Sequence, residues 1–219
     1  ESSIAAPVHL DERGDMQCTS CHDPHNNQNG YFLHRSDLQS ALCLACHAPT
    51  GWIGSAHANS QQTWSGIGPD PWPTARYQTV RDNGCANCHK EHGAGHAQRL
   101  LQFAVEEDNC LRCHSGTVAR KNIQLDVGKV SAHSPAATLD VHDPTESGAT
   151  MARHAECQDC HDAHQATSGT APAPGVPGPL LGASGLSSSG VEVRPIRNGY
   201  ELCYKCHAAN HGATIYVPR

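Results

Sequence analysis

The sequence has few of the side chains that usually build a hydrophobic core. Aromatic residues occupy 5% of the 219 positions, and there are only two Phe and two Met. Twenty Gly and fourteen Pro interrupt the chain, so no stretch keeps the apolar periodicity of a long helix. No run of about 20 apolar residues occurs, and we therefore expect no transmembrane helix. Something other than side chains has to fill the interior.

Cysteine is confined to one motif. All twelve cysteines fall in Cys-x-x-Cys-His pentapeptides, in which two thiols can add to the vinyl groups of one porphyrin and the adjacent proximal His binds its iron. Zinc would need the thiolates grouped in fours, and disulfides would need no His. The pattern therefore predicts six haems c as cofactors. The motifs are Cys18-Cys21-His22, Cys43-Cys46-His47, Cys85-Cys88-His89, Cys110-Cys113-His114, Cys157-Cys160-His161 and Cys203-Cys206-His207.

Six haems also predict the fold class. They leave about 36 of the 219 residues for each porphyrin, so the porphyrins would form the core and the chain would not fold without them. We expect a mostly irregular, loop-rich multihaem cytochrome architecture with short α-helices around the motifs and little or no β-sheet. Helical turns are expected within 37–46, 98–113 and 151–160.

The motifs form a threefold repeat inside one continuous haem-cored domain. Dihaem units are expected at 1–50, 51–130 and 131–219. Each has an upstream His, a first motif, a His three residues later and a second motif. The two proximal histidines of a unit are 25 residues apart in the first two units and 46 apart in the third. The extra residues lie within 165–197, where a composition rich in Gly, Pro and Ser indicates a loop or linker.

Eleven other histidines are available as sixth ligands of the irons. The two methionines lie too close to their own motifs, so bis-His ligation is expected. His25, His92 and His164 follow a first motif in every unit, and they cannot easily reach the opposite face of the same haem. We expect them to ligate a neighbouring haem, which would hold adjacent haems together.

Upstream histidines would complete the distal set. His9 and His57 are the candidates in the first two units, and His133 and His142 compete in the third. The tripeptide Ser-Ala-His at both 55–57 and 131–133 supports His133, whereas Val-His at both 8–9 and 141–142 supports His142. The remaining histidines are expected at the surface or at haem edges, namely His34, His96, His154 and His211.

Bis-His irons leave no open coordination position, so electron transfer rather than catalysis is expected, and no catalytic residue is assigned. A formal net charge of −6, before any propionates, argues against a nucleic-acid partner. Thioether attachment takes place on exported chains, which predicts an extracellular or cell-surface location, with the periplasm as alternative. The first residue, Glu1, fits a mature form whose signal peptide has been removed.

The segment Cys18 to Asn26, followed by Leu42 to His47, resembles the doubled Cys-x-x-Cys-His motif of multihaem cytochromes c from metal-reducing and related respiratory prokaryotes. Its layout is similar to the cytochromes that polymerise into extracellular filaments, or nanowires. This resemblance implies extracellular electron transfer along a homopolymer, with His9 as a candidate ligand for a neighbouring subunit's haem. Other readings are a soluble periplasmic carrier, a porin-docked carrier with redox-protein partners, and a multihaem reductase.

Overall fold

A computed structural model describes residues 10–96, 98–135 and 155–207. Within these ranges the regular elements are short and are joined by turns and irregular loops, which confirms the expected fold class. Only the helices that carry two of the second motifs reach nine residues. None of the helices in these ranges is long and apolar enough to cross a membrane. The helices are α1 Cys18–Cys21, α2 Ala56–Asn59, α3 Val80–Asn83, α4 Glu106–His114, α5 Ile123–Val127, α6 Cys157–Cys160 and α7 Gly199–His207.

Single 3-10 turns supply much of the remaining regular structure. The helix expected within 37–46 is replaced by two of them, because Gln39 and Ser40 have φ angles of 53° and 66° in the left-handed region. A continuous α-helix cannot include such residues. The turns lie at Leu38–Ser40, Cys43–Ala45, Trp52–Gly54, Gly84–Asn87, Gln98–Leu100 and Gly178–Leu180.

Charged side chains stabilise the ends of the two long helices. Helix α4 has three acidic residues in its first turn and Arg112 in its last, which matches the sign of the helix dipole at both ends. Helix α7 is anchored by Glu201, whose carboxylate accepts hydrogen bonds from the backbone N–H groups of Arg197 (2.7 Å) and Asn198 (3.0 Å). Both helices therefore begin at fixed positions and present their motif residues on a defined face.

Buried apolar side chains form small groups rather than one core. One cluster contains Trp72, Val80 and Val118. Among the most completely buried residues are Ser20 and Ser55, both at 0% exposure. A chain of this length would normally bury a larger continuous set of apolar side chains, so the described side chains do not account for the interior by themselves.

The first two units meet through a close backbone approach. The Ser40 hydroxyl accepts a hydrogen bond from the backbone N–H of Cys85 at 2.7 Å. Gly84 has a φ of +54°, and a Cβ at that position would overlap the Ser40 hydroxyl. Gln39 adds a hydrogen bond to Asp82 at 3.1 Å. These contacts join the second motif of the first unit to the first motif of the second.

The insertion at 165–197 is more structured than its composition indicates. Strand β1, Gly185–Leu186, pairs antiparallel with β2, Glu192–Val193, and β1 packs on α7. Leu186 and Ile196 are each 5% exposed. The expectation of a loop or linker is wrong for this part of the insertion, because a few apolar residues between the turns find a helix to pack against.

Candidate functional site

Four pairs of histidine rings face each other at almost one distance. The ring centroids are 6.0 to 6.2 Å apart, whereas the angle between the ring planes varies from 13° to 78°. Each pair joins one proximal His with one His outside the motifs. The pairs are His22 with His92, His57 with His114, His89 with His164, and His133 with His207.

The constant distance and the variable angle fit two ligands on opposite sides of one metal atom. An imidazole nitrogen lies about 2 Å from a bound metal, so two such nitrogens are about 4 Å apart and, with the ring radii, the two centroids lie about 6 Å apart. Each ring can rotate about its own metal bond, which leaves the interplanar angle free. Direct ring stacking would instead restrict the angle.

The described residues contain no group of three or more His, Cys, Asp or Glu side chains arranged to hold a metal ion. A metal held between two facing imidazoles therefore needs further ligands that this part of the chain does not supply. A haem would supply those further ligands through its porphyrin nitrogens. The paired histidines thus fit haem and do not fit a zinc site with four protein ligands.

The proximal histidines of the first motifs share one orienting contact. Nδ1 of His22 lies 2.9 Å from the carbonyl of Tyr31, and Nδ1 of His89 lies 2.7 Å from the carbonyl of Arg99. A carbonyl can only accept, so Nδ1 is the protonated nitrogen and Nε2 keeps its lone pair for a metal. His161 has the same contact, at 2.8 Å from the carbonyl of Pro179.

In the first two units, strained loops position these carbonyls. Tyr31 and Phe32 have φ angles of 52° and 55°, and Arg99 and Leu100 have φ angles of 61° and 53°. Non-glycine residues rarely adopt this region, and strain of this kind persists where function needs a fixed geometry. In the third unit the insertion supplies the carbonyl instead.

The candidate distal histidines are oriented as well. Ser55 caps helix α2 by accepting a hydrogen bond from the Ala58 N–H at 3.1 Å. His57 lies on that helix, and its Nδ1 is 2.9 Å from the carbonyl of Ala163. His164 follows a turn in which Asp162 accepts a hydrogen bond from its backbone N–H at 2.9 Å. The third unit thus helps to hold a distal His of the second unit.

Burial keeps two of these imidazoles neutral. It lowers the pKa of His114 to about 4, with smaller contributions from the nearby His57 and His161. Burial also lowers the pKa of His164, although the Asp162 carboxylate opposes this shift. Only a neutral imidazole can bind a metal, so the surroundings favour the form that a ligand needs.

Cysteine contacts place successive motifs side by side. The thiols of Cys43 and Cys85 lie close enough to shift each other's pKa, and so do those of Cys110 and Cys157. In both cases one Cys belongs to a second motif and the other to the first motif of the next unit. The second motif of each of the first two units therefore lies beside the first motif of the next unit.

Several predicted residues do not join a pair. His25 is exposed, and its Nδ1 lies 3.7 Å from the Asp23 carboxylate. Within the described ranges, no second His ring faces His47 or His161. His9 and His142 lie outside the described residues. Of the two third-unit candidates, His133 lies within the described residues, and its ring faces that of the proximal His207.

One positioning residue was not expected from the sequence. Nε2 of His34 lies 3.0 Å from the carbonyl of Thr19, inside the first motif, and its backbone N–H donates to the carbonyl of Cys21 at 2.9 Å. His34 therefore fastens the loop at 30–34 to helix α1. No spacing rule in the sequence distinguishes this role from that of a surface His.

Comparison with known proteins supports the same chemistry. The family described as "Doubled CXXCH motif" matches residues 10–51 and again residues 78–119. The match supports a multihaem c-type cytochrome. The two matched segments hold the four motifs of the first and second units, and they imply covalently bound haem c. No curated protein and no solved structure matches the chain.

Proposed function

We propose that this chain is an electron-transfer protein that binds six haems c, all with two axial histidines, in a continuous series. The constant 6.0 to 6.2 Å separation of four proximal–distal histidine pairs carries this proposal. The Cys motifs at all six positions supply the covalent attachment. Because an iron with two protein ligands has no free position for a substrate, the chain is proposed to be a carrier and not an enzyme.

The pairs obey two rules that extend to the rest of the chain. An upstream His faces the second proximal His of its own unit, as His57 faces His114 and His133 faces His207. By this rule His9 would be the distal ligand of the iron whose proximal ligand is His47. A third-residue His faces the first proximal His of the preceding unit, and this holds for His92 and His164.

Haem would supply an iron that gains and loses one electron without a large change in its ligands. The protein's part is to fix the imidazoles, through carbonyl contacts such as those of Tyr31 and Arg99, and to exclude water from between the rings. The Cys43–Cys85 and Cys110–Cys157 contacts would bring consecutive haems close together. Short edge-to-edge distances favour rapid transfer along the series.

We further propose that the protein is exported and works in extracellular electron transfer, as a filament of identical subunits. Support comes from the repeat, in which the first proximal His of each of the first two units faces a His of the next unit. A carrier that stays monomeric, in the periplasm or docked in a porin, would have the same internal pairs. A multihaem reductase is a second candidate because no described His faces His161, and a five-coordinate iron there could bind a substrate.

The test counts haems and then removes distal ligands one at a time. Intact mass of the purified holoprotein should correspond to six haems. His57→Ala, His92→Ala, His133→Ala and His164→Ala should each convert one of the six irons from low spin to high spin, as measured by electron paramagnetic resonance. Added imidazole should restore the low-spin signal, because it can occupy the vacated position.

Leu125→Ala is the control, since Leu125 is 68% exposed on helix α5, which carries no Cys-x-x-Cys-His motif. It should keep all six irons low spin. Fewer than six haems in the wild-type protein, or unchanged spectra in the four variants, would refute the ligand assignment.

A further inference from the structure

The ligand rule that joins neighbouring units leaves one donor and one acceptor unused. His92 of the second unit faces His22 of the first, and His164 of the third faces His89 of the second. By the same rule, the His that faces His161 would come from a fourth unit, which this sequence does not contain. His25 would face a proximal His of a unit before the first, which the sequence does not contain either.

His25 is presented in the same way as the paired His164. The Asp23 carboxylate accepts a hydrogen bond from the His25 backbone N–H at 2.9 Å, and the Asp162 carboxylate does so for His164 at the same distance. The two side chains differ in burial, at 93% and 45% exposure. His25 therefore has the backbone turn of a distal ligand while its ring points into open space.

His161 is prepared as an acceptor. Its Nδ1 contact with Pro179, at 2.8 Å, matches those of His22 and His89, so its Nε2 is available to a metal. His161 is exposed, whereas both counterparts are partly buried. Among the described residues the other two first-motif histidines have a facing ring and His161 has none.

The cysteines of neighbouring units follow the same order, in which each unit lies beside the next unit. Cys43 lies close enough to Cys85 to shift its pKa, and the same is true of Cys110 and Cys157, so the counterpart of Cys203 would be the first Cys of a fourth unit. The corresponding residue of this chain is Cys18, and both Cys18 and Cys203 are exposed. Extrapolated by one unit, the histidine rule and the cysteine rule thus point to the same two surfaces, one on the third unit and one on the first.

We propose that the first unit of a second copy of this chain takes the place of the missing fourth unit. His25 of that copy donates the Nε2 lone pair to the iron whose proximal ligand is His161. No bond breaks and no electron is transferred in this step. Since the donor His25 and the acceptor His161 lie on different units of each copy, the contact is head-to-tail and extends to a polymer. This inference rests on the proposed bis-His function, and it assigns the copy-to-copy ligand to His25 rather than His9.

The first experiment removes the donor. His25→Ala holoprotein should retain six haems, contain one high-spin iron per chain, and elute as a monomer in size-exclusion chromatography, where the wild type elutes as a large assembly with low-spin irons. Added imidazole should restore the low-spin spectrum without restoring the assembly, because free imidazole replaces the ligand and not the neighbouring copy.

A mixing experiment separates ligation by another copy from ligation within the chain. A second variant, Cys157→Ala with Cys160→Ala and His161→Ala, keeps His25 but cannot bind the haem that accepts it. Mixed with His25→Ala, it should form a complex of two chains and no longer polymer, and the high-spin signal should disappear. If this variant does not fold, the imidazole result on His25→Ala still tests the proposal.

Several outcomes would overturn the inference. A His25→Ala protein that remains assembled and fully low spin would do so, and so would a high-spin iron in the assembled wild type. Conversion to high spin in His142→Ala or His154→Ala, with His25→Ala unaffected, would place the ligand within the same chain. Failure of the bis-His proposal is distinguishable, because the wild type would then lack six haems or would show several high-spin irons.

Discussion

The first and third units hold the same imidazole in different ways. In the first unit a short loop places the carbonyl of Tyr31, nine residues after His22, and in the third unit the carbonyl of Pro179 comes eighteen residues after His161. The short loop achieves this with residues in the left-handed region. The longer insertion avoids such residues and instead builds a two-stranded sheet against α7. The same contact can therefore be formed either by a short loop with strained residues or by a longer loop that packs on a helix.

The largest effect should come from the packing of the insertion. Ile196→Ala removes a side chain that is 5% exposed, and truncating a buried Ile costs about 2–5 kcal/mol. The denaturant concentration at the unfolding midpoint of the holoprotein should fall accordingly. This midpoint is measured from the change in haem absorbance. Val191→Ala is the matched control, because Val191 is 61% exposed in the same insertion. Equal midpoints for the two variants would mean that the insertion is only a connector.

An intermediate effect is expected at the junction of the first two units. Gly84→Ala places a Cβ against the Ser40 hydroxyl at a φ of +54°, and strain with overpacking costs about 1–3 kcal/mol. Gly93→Ala is the control, since Gly93 has a φ of +64° with no atom within 4 Å of the added Cβ. Thermal denaturation should show the larger loss for Gly84→Ala. A loss no greater than that of the control would exclude close packing at this junction.

The smallest effect should come from relieving strain in the short loop. Tyr31→Gly removes an exposed side chain from a residue with a φ of 52° and should lose less stability than Tyr31→Ala, by about 0.5–1 kcal/mol, because glycine adopts this region at no steric cost. The thermal midpoints of the two variants measure the difference. A less stable glycine variant would show that strain at Tyr31 is not significant.

Local spacing was sufficient to predict the covalent part of the site. The two cysteines and the proximal His of each motif lie within five residues, so their chemistry depends little on the rest of the fold. The loop-rich architecture also followed from composition, since so few apolar side chains cannot build long elements. The role of His34 and the two-stranded sheet of the insertion were not predicted, because they depend on which distant backbone these residues meet.

The sequence by itself determined the haem-attachment motifs, the threefold repeat and the surplus of histidines available as ligands. Only the tertiary structure decided which rings face each other, since His22 and His92 are 70 residues apart and His89 and His164 are 75 apart. Contacts at such separations depend on the path of the intervening loops. That path is set by the left-handed turns, the serine contacts and the packing of the insertion on α7, which residue spacing does not reveal.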